Sequence, residues 1–271
     1  MKIGNKTFEI GKRTYIMGIL NVTPDSFSDG GKFNEINKAL EQAEKMINDG
    51  VDIIDIGGES TRPNHTPVKE EEELLRVIPI IKAIREKYDV PISIDTYKGR
   101  VAEEAIKAGA NLINDVWGFK KDPYISEVAF KYDVPCCLMH NRENSKYGED
   151  IIDTMKKDIM ESVEIALKAG VKKENIILDP GIGFAKTYEQ NLDVLHRLEE
   201  FCKLDYPVLL GTSRKSVIGN TLDLPANERV EGTLATTSIG IAKGCEFVRI
   251  HDVLENKRVA VMTDAIIRRG E

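Results

Sequence analysis

Eight short apolar runs in this sequence each give way to residues that can do chemistry. The first ends at Asn21, the second near Asp55 with Gly57, Gly58 and Glu59 behind it, and the third at Asp95. The fourth ends at Asn114 and Asp115, the fifth at Met139 and His140, and the sixth at Asp179. The seventh leads into Ser213, Arg214, Lys215 and Ser216, and the eighth into Arg249, His251 and Asp252. A carboxylate beside an amide suits a ligand edge bearing N–H and NH₂ groups, as in a guanidine-like heterocycle. The cations after the last two runs suit an anion. Taken singly, an Asp or Asn after a strand caps a helix or a turn. Buried charge is costly unless paired, however, so polar groups gathered after nearly every run point to a binding site. There is no HxxxH pair and no Cys cluster, so a permanent zinc site is not expected. Asn21 together with diphosphate oxygens would suit Mg²⁺, which takes few protein ligands beside substrate phosphates. Two further segments, NVTPDSFSDGG at 21–31 and GGESTRPN at 57–64, are polar and glycine-bearing and read as lids over adjacent strands.

The elements that must position these residues are legible from periodicity. The runs at 15–20, 51–56, 91–94, 111–113, 134–139, 175–178, 206–210 and 246–250 are rich in Ile, Val and Leu and read as strands buried on both faces. Helical spacing follows the first run at Ile36, Leu40, Ala43 and Ile47, with Gly50 as a stop. It recurs over 70–88, 98–108, 150–169, 187–201, 230–243 and 253–269, with Pro79 expected to kink or interrupt the first of these. A helix ending in Gly followed by a strand ending in a polar residue repeats in DGVDIIDIGG, AGANLINDVWG, AGVKKENIILDPG and KGCEFVRIHD. Such alternation implies right-handed parallel crossovers. The expected fold is α/β, an eight-stranded parallel (βα)8 TIM barrel, for which about 250 residues is typical. A doubly wound open sheet is less favoured, because no glycine-rich dinucleotide turn follows the first strand. Residues 2–13 read as a short N-terminal β-hairpin around Gly4 and Gly11, placed to plug the bottom of the barrel. No linker divides residues 1–271, so one domain is expected.

Composition narrows the function. The chain holds 271 residues with formal charge −7, which disfavours a general nucleic-acid binder or a basic membrane-surface protein. No run of about 18 apolar residues exists, and 1–12 lacks a signal-peptide core. The four cysteines, Cys136, Cys137, Cys202 and Cys245, form no CxxC and read as reduced thiols of a cytoplasmic protein.

Eight ordered segments resemble the dihydropteroate synthase family. They are MGILNVTPDSFSDGG and DIGGESTRP, then SIDT at 93–96, LINDVWG at 112–118, LMHNR at 138–142, LDPGIGF at 178–184, GTSRKS at 211–216 and VRIHDV at 248–253. Members of that family are (βα)8 barrels of folate synthesis. They join 4-aminobenzoate to 6-hydroxymethyl-7,8-dihydropterin diphosphate with release of diphosphate. The resemblance implies that Asp95, Asn114 and Asp179 bind the pterin amino and ring nitrogens and that Lys215 reaches its carbonyl. It implies that Met139 and Arg249 pack on the ring faces. Asn21, Arg249 and His251 would hold the diphosphate, with Mg²⁺ at Asn21. Thr61, Arg62, Pro63, Phe184 and Ser216 would surround the aminobenzoate, and Asp25, Phe27 and Ser28 would close over it. Asp25, Phe27, Ser28, Lys215 and Arg249 are thus the expected catalytic set. The implied mechanism is dissociative, with sulfonamides as competitors and a homodimer as the usual assembly. The chain departs from the family at Asn64 and His65, where glycine often follows Thr-Arg-Pro. Asn tolerates left-handed backbone angles, so the turn is expected to survive. The alternatives are a pterin-dependent methyltransferase, which needs no diphosphate site, and a non-catalytic pterin-binding barrel, which would have lost ring residues. An aldolase-like barrel would use Lys215 as a Schiff base, leaving the acids and amides without a role.

Overall fold

The computed structural model describes residues 1–22, 31–59, 67–148 and 150–268. A hairpin of β1 (Lys2–Ile3) and β2 (Lys6–Thr7) precedes eight parallel strands. These are β3 (Tyr15–Asn21), β4 (Ile53–Gly57), β5 (Ile92–Asp95), β6 (Leu112–Asp115), β7 (Cys136–Met139), β8 (Ile176–Asp179), β9 (Leu209–Leu210) and β10 (Phe247–Ile250). The order is β8-β7-β6-β5-β4-β3-β10-β9, and a parallel bridge from Leu178 to Val208 joins the two ends into a barrel. All eight expected strands form. The ninth is the shortest because Pro207 has no N–H for the ladder, although its carbonyl accepts from the Leu178 amide at 2.9 Å.

The helices between the strands are α1 (Gly31–Asn48), α2 (Glu70–Lys87), α3 (Gly99–Ala108), α4 (Tyr124–Lys131), α5 (Ile151–Ala169), α6 (Tyr188–His196), α7 (Leu198–Cys202), α8 (Ser216–Leu222), α9 (Val230–Ala242) and α10 (Val253–Ile267). Gly109 and Gly170 close α3 and α5 in left-handed conformation, as their positions imply. Three helical expectations are corrected. First, Pro79 does not break α2. Pro79 and the residue whose carbonyl it leaves unpaired, Leu75, both lie on the solvent face, where the carbonyl is open to water. Second, the single helix expected over 187–201 is two. Thr187 and Gln190 cap α6 reciprocally, and the chain turns at Arg197, whose guanidinium reaches Asp150 at 2.7 Å and Glu200 at 2.8 Å. Third, α4 and α8 were not anticipated. They span 8 and 7 residues, too few for a helical period to stand out.

Two apolar layers hold the barrel. The larger lies between strands and helices and includes Ile16, Ile54, Val77, Ile113, Val163 and Val248. The smaller fills the barrel interior with Tyr15, Met17, Ile53, Leu112, Ile177, Leu209 and Phe247. Ile3 and Phe8 of the hairpin segment join this inner cluster, so the hairpin does plug the N-terminal end. Gly4 makes the tight turn there at φ 61, and a Cβ on it would meet the Asn111 side chain at 3.0 Å. Chemistry is therefore confined to the opposite, C-terminal mouth.

Candidate active site

Strand register sets the first row of the site. Asn21 pairs with Gly57, Gly57 with Asp95, and Asp95 with Asn114. These four residues lie abreast on four neighbouring strands. Met139 pairs with Asp179 on the next pair of neighbours, β7 and β8. One layer lower, Asp55 stands opposite Ile19 and Ser93 and is fully buried.

Arg249 of β10 ties the mouth together. Its Nε donates to Asp55 at 2.6 Å and its Nη2 to Asp95 at 2.6 Å. Asn114 donates to the same Asp55 oxygen at 3.2 Å. Asp55 and Asp95 each keep one buried oxygen without a hydrogen-bond partner. Such an oxygen is costly to leave buried and marks where a donor from a ligand would be gained. Burial pushes the Asp95 carboxyl up to about 7 against the pull of Arg249. The flanking carboxylates push the Arg249 guanidinium above its ordinary range despite burial.

The eighth strand and its loop supply the second half. Burial raises Asp179 above the usual carboxylate range, opposed by Lys215 and by the Gly181 amide, which donates to it at 2.7 Å. Lys215 donates to the Ile182 carbonyl and sits 4.7 Å from the Phe184 ring centre. Burial lowers its ammonium to about 8. A Cβ on Gly211 would touch Asp179 Oδ2, Lys215 Nζ and Arg249 Cβ at 3.7, 3.8 and 3.9 Å, so the carboxylate and the ammonium meet there beside the stem of Arg249. Beside them, Ser213 Oγ lies 2.9 Å from His251 Nδ1 and accepts from the His251 amide at 3.1 Å. Either the hydroxyl or Nδ1 is the donor in that contact, according to the His251 tautomer. Met139 is buried, Phe184 half-buried, and Ser216 exposed at the first turn of α8.

The fold thus brings together Asp95, Asn114, Met139, Asp179, Lys215 and Arg249, with Asn21 in the same row and His251 beside Ser213. Asp25, Phe27, Ser28, Thr61, Arg62 and Pro63 lie outside the described residues, as do Asn64 and His65. Sequence reasoning placed Asp55 at a strand end but gave it no role. Only the fold shows that it shares Arg249 with Asp95. Lys98 was missed. It pairs with Glu59 at 2.5 Å and with buried Glu73, beside the second glycine-bearing loop. Lys186 was missed as well, although GIGFAK places it after two glycines that demand a sharply bent loop.

Among the described residues no group of three or more His, Cys, Asp or Glu is disposed to hold a metal ion. The donor at the rim is the Asn21 carboxamide, half-buried at the end of β3. That donor set fits a hard cation held mainly by oxygens of a bound diphosphate, not a site built from protein ligands alone.

A parallel (βα)8 barrel with acids, an amide and two cations converging at its mouth defines a class of enzyme that binds a small nitrogenous, anionic substrate. The family described as pterin binding enzyme matches residues 17–251, and the chain belongs to it. Within that family it lies among the dihydropteroate synthases. The dihydropteroate synthase of Clostridium beijerinckii is 65% identical over 99% of this chain and 100% of its own length. The structure of the Clostridium difficile dihydropteroate synthase in the presence of pteroic acid matches with a TM-score of 0.95 at 56% identity, covering 97% of this chain and 100% of that one. The Yersinia pestis dihydropteroate synthase in complex with a sulfonamide drug matches at 0.91 and 39% identity, covering 100% and 99%.

Proposed function

We infer that this chain condenses 6-hydroxymethyl-7,8-dihydropterin diphosphate with 4-aminobenzoate, giving 7,8-dihydropteroate and diphosphate. It is a transferase of folate biosynthesis. The observation that carries the assignment of roles is the meeting of Asp179 and Lys215 at Gly211, beside the Asp95–Asn114 row that Arg249 joins through Asp95.

Asp179 accepts from the N–H and NH₂ edge of the pterin, and a charge-assisted pair of this kind is stronger than a neutral one. The open oxygen of Asp95 and the Asn114 amide complete that edge. Lys215 donates to the pterin carbonyl. Met139 and Arg249 cover the ring faces. Arg249, Asn21 and His251 hold the diphosphate. Phe184 and Ser216, with Thr61, Arg62 and Pro63, receive the aminobenzoate. Asp25, Phe27 and Ser28 close the first loop over it.

The C–O bond to diphosphate breaks first, and its electron pair leaves with the diphosphate. The electron-rich pterin carries the positive charge on its exocyclic carbon. The aniline nitrogen then attacks, a C–N bond forms, and one proton is lost to solvent. The neutral aniline needs no strong general base, and the site needs no covalent nucleophile. What it needs is fixed positive charge at the leaving group, which Arg249 supplies without reorganisation. Asn21 would hold Mg²⁺ together with the diphosphate, and the ion would supply neutralisation of the charge developing on the leaving group.

We assign the chain to the cytoplasm as one domain over 1–271, a placement supported by the four unpaired cysteines. A homodimer is supported by the apolar α9–α10 face, where Ile239, Val261, Met262 and Ile266 are exposed. No helix among the described residues is long and apolar enough to cross a membrane.

The deciding experiment is a coupled diphosphate-release assay with the pterin diphosphate and Mg²⁺, with and without 4-aminobenzoate. Release that depends on aminobenzoate, with dihydropteroate formed and sulfonamide inhibition, is the expected result. Tight pterin binding without turnover would overturn it in favour of a non-catalytic pterin-binding barrel.

A further inference from the structure

The loop after β8 is bent more sharply than its neighbours. Gly181, Gly183 and Ala185 take φ of 66, 83 and 47, so every second residue is left-handed. Ala185 has a side chain in a conformation that L-residues rarely adopt. A backbone of this shape turns its carbonyls inward and needs a donor to hold them. Lys186 supplies it. Its Nζ donates to Gly181 O at 2.9 Å and to Phe184 O at 3.1 Å. Its third proton meets His140 Nδ1 at 3.1 Å. An ammonium has three donors and no acceptor, so all of its capacity is used, and His140 Nδ1 must be the acceptor. The other ring nitrogen, Nε2, then carries the proton and donates to Asp158 at 3.1 Å, where Arg142 also pairs at 3.3 Å. A Cβ on Gly181 would stand 2.0 Å from the His140 carbonyl, so the loop is pressed against the end of β7 with no room to shift.

What this loop presents is the charged half of the site. Its Gly181 amide donates to Asp179, its Ile182 carbonyl accepts from Lys215, and its Phe184 ring lies under the same ammonium. We propose that Lys186, oriented by His140 and Asp158, is a positioning residue that staples this loop so that Asp179 and Lys215 stay aimed at the pterin. The role rests on the pterin reading of the site above. It deepens that reading by adding a support for Asp179 and Lys215 that the shared motifs do not include.

Burial lowers the Lys186 ammonium to about 7, and burial likewise holds His140 down to about 4. A neutral imidazole is what the bond from Lys186 requires, so the His140 shift agrees with the geometry, whereas the Lys186 shift works against its ammonium.

The test is calorimetric binding of the pterin diphosphate to the full chain, without aminobenzoate, for wild type, Lys186→Met and Lys186→Arg. Met fills the space and removes the donors. Arg keeps the charge, but its planar fork does not serve three acceptors set around one point. Both variants are expected to weaken pterin binding by about tenfold or more, since two loop carbonyls lose their donor. Lys186→Ala leaves that space open, and added methylammonium is expected to restore its affinity, whereas methanol is not, which a merely structural loss would not show. Pterin affinity within twofold of wild type in either folded variant overturns the proposal. So does a loss in Lys186→Ala that methylammonium leaves unrepaired while the melting temperature falls in step. If Lys186→Met does not fold, the Lys186→Arg affinity decides on the same criterion. Asp179→Asn, measured alongside, separates the two ideas. Unchanged pterin affinity there would sink the pterin reading of the site, and normal loss there with an unaffected Lys186 series would sink the staple alone.

Discussion

Arg249 and Asp95 join β10 to β5 across two intervening strands, Nη2 to Oδ2 at 2.6 Å. The same guanidinium holds Asp55, so one cation stands between two buried carboxylates.

Removing that cation should be expensive, and the cost should depend on pH. Breaking a buried pair by deleting one partner costs about 3–5 kcal/mol. Asp95 already has a folded-state pKa of about 7, above its unfolded value, so its contribution to stability falls as pH rises from about 4 to 7. Without Arg249 the carboxyl titrates higher still, and the fall continues past 7. Urea denaturation of Arg249→Met is expected to show a deficit against wild type that grows between about pH 6 and pH 8.5. A deficit that does not change over that range would remove Arg249 as the partner of Asp95.

Asp179 should tolerate Asn in the fold but not in binding. The Gly181 amide still finds an oxygen to donate to. The second oxygen becomes NH₂ and faces pterin donors, a mismatch worth about 1–3 kcal/mol. Calorimetry is expected to show pterin affinity weaker by roughly 5- to 150-fold in Asp179→Asn, with little change in melting temperature. Equal affinity would remove Asp179 from the pterin edge.

The barrel was legible because period and punctuation agree. Runs such as 53–57 and 176–179 are buried on both faces, and Gly109 and Gly170 mark helix ends. The rim was legible because polar residues close nearly every apolar strand, too many to serve as caps alone. What could not be read was pairing across strands far apart in sequence. Nothing local shows that Arg249 reaches Asp55 and Asp95, 194 and 154 residues away. Nor does the sequence show that Lys186 bonds His140, 46 residues back. The short α8 was hidden by its length of seven residues, and Gly219 lies inside it. In the fold that glycine leaves room for the Arg229 guanidinium, which a Cβ there would meet at 2.1 Å and push aside.

Lys215 should matter to turnover and set an alkaline limit. Its ammonium faces Asp179 and donates to the Ile182 carbonyl, and burial lowers it to about 8. Lys215→Ala is expected to reduce kcat/KM for the pterin substrate by more than about tenfold, through loss of a charged donor. In wild type, kcat/KM should fall as pH rises through about 8 and the ammonium becomes neutral. Lys215→Arg should lack that fall, since a guanidinium stays charged. Near wild-type kinetics in Lys215→Ala, or an unchanged alkaline limit in Lys215→Arg, would remove the residue from the reaction.

His140 should make the fold sensitive to acid in a way that can be isolated. It is almost fully buried, and its pKa is held near 4 against an ordinary 6.5. Between those values the unfolded chain binds a proton that the folded chain refuses, so stability present above about 6.5 is lost as pH falls toward 4. The span corresponds to about 3 kcal/mol. Asp95 and Asp115, both pushed up to about 7 by burial, act in the opposite direction, because the folded chain takes their protons first as pH falls. The whole-protein profile therefore masks His140, and the difference from a variant does not. His140→Gln keeps one donor for Asp158 and one acceptor for Lys186 but cannot titrate. Urea denaturation of both proteins at about pH 7 and pH 4.5 is expected to show the wild-type advantage shrinking by about 2–3 kcal/mol on acidification. A constant difference between the two curves would mean that His140 is protonated in the folded state. The bond from Lys186 to its Nδ1 could not then form.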